Sequence, residues 1–424
     1  MCILLRDQSN MKPVEMIVIG AGDRGNVYAS YAKKFPENAQ IVGVAEPREF
    51  YRQRMMEEYD IPTENVYTDW KDIAKRERFA DAVIITTQDS MHVEPAVAFA
   101  GLGYHILLEK PMAPDAEGCE KIVQAVMENN TIFSVGHVLR YTNYTMKLKE
   151  IIDSGAIGDV VSIDRLEPVG FWHQAHSFVR GNWRNEAESA FMLLAKSCHD
   201  IDWIRYIMGK KCTAISSFGS IVHFKKENKP ENAGSRCLQC DYEPNCPYSA
   251  KRIYFEIFRR GYRGWPVSVI TSDVTEKGIL NALETGPYGR CVYECDNDVV
   301  DHQVVNMEFE GGESASFTMM AFTQGRARET RIFGTKGELI GNGTKLHVYD
   351  FLTDETEIID TTVSEGLNLE GHGGGDYGLI KAFVKAVSEK NPELILSGPE
   401  ETLQSHLMVF AAEQSRLTKK TILL

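Results

Sequence analysis

Gly20-Ala21-Gly22-Asp23-Arg24-Gly25 follows an apolar run and precedes a helical pattern. In that context three glycines at this spacing cradle a pyrophosphate. Gly20 makes a tight turn, Gly22 lets backbone approach the phosphates, and Gly25 permits close helix–strand packing. The helix start, carrying Asp23 and Arg24, presents N–H groups to the anion. The next strand ends at Glu46, about 20 residues on, where a carboxylate binds adenosine ribose hydroxyls. Glu46 favours NAD over NADP, since a carboxylate repels a 2′-phosphate; Arg48 keeps NADP as the lesser alternative.

A second chemistry-bearing group is Cys237, Cys240 and Cys246, a C-x2-C-x5-C spacing. In a reducing compartment three such thiols suggest a structural zinc, which needs a fourth ligand. Cys291, Cys295, Cys212 and His223 are all candidates, and an iron–sulfur cluster would in most cases need a fourth as well. Three free cysteines in a surface insertion is the plain alternative.

These groups must be positioned by elements, and the pattern supplies them. Apolar runs at Met16–Gly20, Ile41–Glu46, Ala82–Thr87, His105–Glu109 and Ile132–Val138 alternate with helical periodicity. Within Glu117–Met127, Cys119, Ile122, Val123 and Val126 share one face. Strands apolar nearly throughout, separated by helices, predict a doubly wound α/β domain of Rossmann type over residues 1–140. From 141 to 424 the spacing changes. Val305, Met307 and Phe309 alternate with Asn306 and Glu308, and Glu310-Gly311-Gly312-Glu313 turns into Ala315–Met320. Arg331–Phe333, Glu338–Ile340 and Lys345–Tyr349 continue the meander. The expectation is an α+β domain with a largely antiparallel, open-faced sheet. It carries a cysteine-bearing insertion over about 225–266 and C-terminal helices at Leu379–Val387 and Glu400–Leu417.

Two strand ends carry the remaining motifs: Ile84-Ile85-Thr86-Thr87-Gln88, with His92 following, and Leu108-Glu109-Lys110-Pro111. The Glu-Lys-Pro motif after a strand of this rank resembles the glucose–fructose oxidoreductase / inositol dehydrogenase (Gfo/Idh/MocA) family. The resemblance extends from the glycine loop to the C-terminal helices. It implies that Lys110 lies between nicotinamide and substrate, with Thr86, Thr87, His92, Glu109 and His137 bordering the cofactor. Burial there would lower the lysine pKa and suit it to proton transfer.

Leu193 to Asp202 matches the family helix that delivers a catalytic histidine, which carries over to His199, with Asp202 one turn on. The commonest family pattern has an aspartate four residues before that histidine. Here Ala195 stands there, followed by Lys196, and whether Lys196 takes over binding of sugar hydroxyls is open. A packed helix histidine is the plain alternative for His199.

Phe171 to Arg184 concentrates aromatic and basic residues. It reads as a substrate loop, with His176, Arg180 and Arg184 as contacts, or as an aromatic interface segment. Gly371-His372-Gly373-Gly374-Gly375-Asp376 is similar to loops in relatives acting on sugars or glycosides. His372 is accordingly a candidate substrate contact, and Asp376 a candidate helix cap.

The implied activity is hydride transfer between a sugar or polyol-like secondary alcohol and NAD. One alternative retains NAD and cleaves glycosides through transient ring-hydroxyl oxidation and elimination. A weaker one is a non-catalytic nucleotide-binding regulator. The rest of the sequence narrows the class. With 424 residues, 46 Lys and Arg against 60 Asp and Glu, the net charge is −14. Such a chain has no overall attraction for nucleic acid or anionic membranes. Nine cysteines, an odd count, do not form a secreted disulfide framework. No run reaches the roughly 20 apolar residues of a membrane span. The sequence therefore predicts a cytoplasmic protein whose open sheet face pairs into a homodimer or homotetramer.

Overall fold

The apolar runs of the N-terminal part form a six-stranded parallel sheet in the computed structural model, which describes residues 12–362 and 372–424. Its strands are β1 (Val14–Ile19), β2 (Ala39–Ala45), β3 (Val66–Tyr67), β4 (Ala82–Ile85), β5 (His105–Leu108) and β6 (Phe133–Val135), in the order β3-β2-β1-β4-β5-β6. The strands are apolar throughout because both faces are covered. Met16 and Val18 of β1 enter one core, while Ile17 and Ile19 enter the other. The Ala116–Glu128 helix buries Cys119, Ile122, Val123 and Val126 on the second face, as its period requires. Asp115 caps it, accepting from the Gly118 N–H at 2.7 Å.

The first face is covered from far along the chain. Leu379, Ile380, Phe383, Val384 and Val387 of the Gly375–Glu389 helix join the core that holds Met16 and Val18. The first compact unit accordingly comprises the described residues up to Ser154, Arg205–Ile207, and the described part of Asp360–Phe410.

The second unit comprises Gly155–Ile204, Met208–Ile359 and Ala411–Leu424. Its strands are β7 (Val160–Pro168), β8 (Cys212–Ser220), β9 (His302–Phe309), β10 (Ser314–Met320), β11 (Glu329–Gly334), β12 (Gly337–Gly341), β13 (Lys345–Asp350), β14 (Glu355–Asp360) and β15 (Ile422–Leu423). They form one sheet in the order β14-β13-β12-β11-β7-β10-β9-β8-β15, antiparallel except where β10 runs parallel to β7. Val305, Met307 and Phe309 are buried and Asn306 and Glu308 exposed, as the alternation predicts. Gly311 and Gly312 turn β9 into β10 with φ of 101° and 94°, a region that disfavours side chains.

The insertion is longer than its composition suggests. The chain leaves β8 at Ser220 and rejoins the sheet only at His302. The added helices Ala250–Arg259 and Glu276–Thr285 pack Tyr254, Ile279 and Leu283 into a separate core with Cys237, Cys246 and Cys291. No helix among the described residues is long and apolar enough to cross a membrane.

Candidate functional site

The turn after β1 has the geometry its glycines require. Gly20 has φ +92°, and a Cβ there would lie 2.7 Å from the Thr86 carbonyl oxygen. A Cβ at Gly25 would lie 2.2 Å from the Gly20 carbonyl oxygen, so the Asp23–Lys34 helix can approach the turn only with glycine. At Gly22 the nearest atom is the flexible end of Arg48, at 3.3 Å. Gly25→Ala is therefore expected to destabilise by about 1–3 kcal/mol and weaken nucleotide binding, while Gly22→Ala leaves the melting temperature nearly unchanged. Equal melting temperatures for the two variants would contradict this account.

Thr86 serves the same turn, its Oγ1 donating to the Gly20 carbonyl at 2.6 Å, and Thr87 Oγ1 donates to the Met91 carbonyl at 3.2 Å. Glu46 is buried at the end of β2. Its Oε2 accepts from the Ala21 N–H at 2.9 Å, and its Oε1 from the Arg48 N–H at 3.0 Å and Nε at 2.7 Å. Burial alone would raise this carboxyl, but the Arg48 hydrogen bonds outweigh it and hold the pKa below the ordinary value. Glu46 thus carries a negative charge against the glycine turn.

After β5, Glu109 is locked in a network that no local motif announces. Its Oε1 accepts from Arg24 Nε at 2.5 Å and from the Tyr28 hydroxyl at 3.1 Å, and its Oε2 from the Lys110 N–H at 2.5 Å. Arg24 extends to Asp376 at 2.5 Å, and His372 Nδ1 lies 2.9 Å from the other Asp376 oxygen. Arg24, expected at the cofactor, bridges two buried carboxylates. Asp376, expected as a cap, stands in the first turn, with Gly374 at the cap position.

Burial works against the charged form of both acids, yet both titrate low. Arg24 and Lys110 lower Glu109, while His372 and Arg24 bring Asp376 down to about 2. The sign follows. A depressed carboxylate contributes fully above its unfolded pKa near 4, and the contribution is lost as pH falls through about 2. The stability advantage of the protein over Asp376→Asn, from urea unfolding, should shrink as pH falls from 6 to 3. A pH-independent difference would refute the assignment.

His92, expected at the cofactor, is held on both ring nitrogens. It is fully buried, with Nδ1 2.8 Å from the Pro111 carbonyl and Nε2 3.2 Å from that of Thr87, and so pins the Lys110-Pro111 turn to the end of β4. His137 is also buried, its ring 5.4 Å from that of His406. His406, which sequence reasoning missed, accepts the Met112 N–H at Nε2 and donates from Nδ1 to the Thr402 carbonyl, both at 2.9 Å. Those partners fix its tautomer. Gly136 allows this crowding, since a Cβ there would lie 3.0 Å from Glu109 and 3.2 Å from the Lys110 nitrogen.

In the second unit the Phe171–Arg184 segment does not present its basic residues as a substrate loop. His176 is buried, bonded to the Tyr254 hydroxyl at 2.7 Å and stacked on Tyr288, and burial and Arg180 push its pKa down to about 3. Arg180 is buried among backbone carbonyls and thiols. Arg184 pairs with Asp296 at 3.0 Å and Glu188 at 2.9 Å. His176 and Arg180 are thus packed within the insertion, while Arg184 is held by half-exposed carboxylates.

His199 lies in the first turn of the Cys198–Met208 helix, buried, with buried Asp202 one turn on. Between them Asp200 anchors the helix to the sheet. Arg165 of β7 reaches it at 2.9 Å and Arg328 at 2.6 Å. Arg328 also pairs with Glu167 at 2.8 Å, and Lys196 stands 3.4 Å from the other Glu167 oxygen. Lys196 therefore lies beside a carboxylate of the sheet, where the aspartate of the common pattern is missing. The run of charges Arg165–Asp200–Arg328–Glu167–Lys196 has no contiguous sequence signature.

The zinc expectation on Cys237, Cys240 and Cys246 is also revised. Among the described residues no group of three or more His, Cys, Asp or Glu side chains is disposed to hold a metal ion. The three thiols instead share a cavity with Cys291; Cys295 and Cys212 do not line it, and His223 bonds the Tyr293 hydroxyl at 3.1 Å.

Residues 14–137 match the model of an oxidoreductase family, NAD-binding Rossmann fold, and residues 149–424 that family's C-terminal alpha/beta domain. The oxidoreductase YteT of Bacillus subtilis (strain 168) is 23% identical over 393 residues, 87% of each chain. Myo-inositol 2-dehydrogenase of Thermotoga maritima is 25% identical over 207 residues, 48% of this chain and 58% of its own. The structure of levoglucosan dehydrogenase in complex with NADH and levoglucosan shares the fold, with a TM-score of 0.70 at 20% identity over 97% of this chain and 99% of that one.

Proposed function

The chain belongs to the Gfo/Idh/MocA oxidoreductase family, and from that premise we propose that it transfers a hydride between a sugar or polyol-like secondary alcohol and NAD. The observation that supports this most is the convergence at one edge of the first sheet. The glycine turn after β1, Glu46 after β2, Thr86 after β4 and Glu109-Lys110 after β5 all lie at carboxyl ends of parallel strands, where such sheets bind ligands. The cofactor, when bound, supplies the redox chemistry. The ionised Glu46 favours NAD over NADP. Lys110 is the group that exchanges the hydroxyl proton, and His199 is its partner in that exchange. Lys196, Asp202 and His372 are the remaining candidate contacts to substrate hydroxyls. The exposed Phe218, Phe333 and Ile340 on the open side of the second sheet fit a face covered by a second copy, in a homodimer or homotetramer.

The test is a panel of polyols, sugars and glycosides with NAD, followed by NADH absorbance and by product analysis. Net NADH with an oxidised product is the expected result. Product without added NAD and without net NADH would replace this reading with redox-neutral glycoside cleavage. Tight nucleotide binding with no turnover across the panel would overturn it in favour of a regulator.

A further inference from the structure

Trp172 follows β7 and Trp265 belongs to the insertion, yet their ring centroids lie 5.3 Å apart. His173 stands 4.9 Å and His176 5.3 Å from Trp265, at interplanar angles of 73° and 85°. None of these three rings is stacked on the Trp265 indole, which remains 40% exposed, and Trp172 beside it is partly exposed.

The exposure of Trp265 is built in, because the chain is held on both sides of it. Before it, Arg263 donates from Nη1 to the Phe258 carbonyl at 2.6 Å and lies 3.8 Å above the Phe258 ring. After it, Pro266 and Val267 are buried, Val267 in the core of the insertion. An indole presented this way is already ordered before any ligand arrives, which lowers the entropic cost of binding.

Trp172 is placed by a close approach of two segments. A Cβ at Gly170 would lie 2.8 Å from the Gly325 Cα, and one at Gly325 would lie 3.6 Å from Trp172 Nε1. Arg328, three residues beyond Gly325, pairs with Glu167, five residues before Trp172, and Lys196 stands beside that same carboxylate. The aromatic pair and the Lys196–Glu167 pair are thus built on the same end of β7 and the same returning loop. Burial, and then the charge of Lys196, hold the His173 pKa well below its ordinary value, so the ring between them is neutral.

We propose that Trp172 and Trp265 form a platform on which the ring of a pyranose or pyranoside stacks, with Lys196 and Glu167 meeting its hydroxyls. This rests on reading the chain as an enzyme of sugars or polyols, and it narrows that reading to cyclic sugars. A pyranose offers C–H groups on the faces of its ring and hydroxyls around the rim, whereas an open-chain polyol has no face for an indole. The insertion, by supplying Trp265, takes part in substrate choice.

The test compares methyl pyranosides and disaccharides with open-chain alditols on the full-length enzyme with NAD. Pyranosides should be the better substrates, and Trp265→Ala should raise their KM about tenfold or more, with kcat changed less. Trp265→Phe, which keeps an aromatic face, should recover most of that loss. Tyr262→Ala, on the same loop and 66% exposed, should leave KM unchanged. Should Trp265→Ala fail to fold, the wild type decides: pyranosides should quench its tryptophan fluorescence saturably, and alditols should not. If no compound is oxidised, hydride transfer to sugars fails as the activity, while saturable quenching by pyranosides still upholds the platform. Alditols turned over better than pyranosides, an unchanged KM in folded Trp265→Ala, or no quenching by any pyranoside overturns it. An unchanged KM with a dissociated oligomer in Trp265→Ala would assign the two tryptophans to a protein interface instead.

Discussion

Lys110→Ala is expected to lower kcat by about 10²–10⁴-fold, the range for loss of a general acid or base, with the dissociation constant for NAD little changed. The basis is how firmly the lysine backbone is held. Its N–H donates to Glu109, Glu109 is held by Arg24 and Tyr28, and the following turn is pinned by His92. Removing the side chain therefore deletes a proton carrier without loosening the loop. Lys110→Arg should not restore activity, because a guanidinium does not release its proton. Steady-state rates on any substrate found in the panel, with NAD binding by calorimetry, check this. A Lys110→Ala enzyme within a few-fold of wild-type kcat would remove Lys110 from the mechanism.

Asp200→Ala should have the largest effect on stability, about 3–5 kcal/mol, because it strips the counter-charge from a buried arginine. Asp200 is fully buried, and burial alone would raise its pKa, yet Arg328 and Arg165 hold it below the ordinary value. Arg165 is 3% exposed, and besides Asp200 it meets the Thr330 hydroxyl at 2.9 Å and the face of Trp203 at 3.8 Å, neither of which carries a counter-charge. Asp296→Ala is the control. Its carboxylate is also held low by Arg184 and Arg290, but it is half exposed, so water takes up most of the loss and under about 1 kcal/mol is expected. Urea unfolding of the two variants decides the matter. Similar, small losses would show that the Arg165–Asp200 pair adds nothing to stability.

What could be read from the chain was what local sequence dictates. Three glycines need a turn and a close helix, and Gly20 and Gly25 occupy those positions. Period two in Val305, Met307 and Phe309 needs one buried face, and β9 has it. Five strands escaped notice, β3, β7, β8, β14 and β15, and for β7 and β8 the physical reasons are plain. In β7, Asp164, Arg165 and Glu167 interrupt the apolar pattern, because this strand supplies the charges that anchor Asp200. In β8, serine and glycine read as loop, although Ser217 is fully buried and bonded to Gln303.

The candidate site was legible in its residue types and poorly legible in their partners. Arg24 meets Glu109 across 85 positions and Asp376 across 352, separations at which no spacing rule operates. Histidine and arginine serve a ligand or a core with the same chemistry. Only burial separates His176, against Tyr254 and Tyr288, from a residue free to meet a sugar. The same holds for the thiols: the spacing supplied three, and only the fold shows that Cys291, and not Cys295 or Cys212, lines a cavity with them.

The covering of the first sheet by the Gly375–Glu389 helix has a consequence for biosynthesis. During translation the strands β1–β6 emerge early, but Leu379, Phe383 and Val384, which help seal Met16, Val18 and Ile84 on one side, leave the ribosome long after them. Until then that side of the nascent sheet is covered only in part, by Tyr28, Ala29, Tyr31 and Ala32 of the Asp23–Lys34 helix and by Met55, and the rest is an apolar surface suited to chaperones and to aggregation. Cutting the chain after β14 should therefore yield not a small nucleotide-binding domain but an insoluble fragment, recoverable when residues 372–410 are supplied in trans.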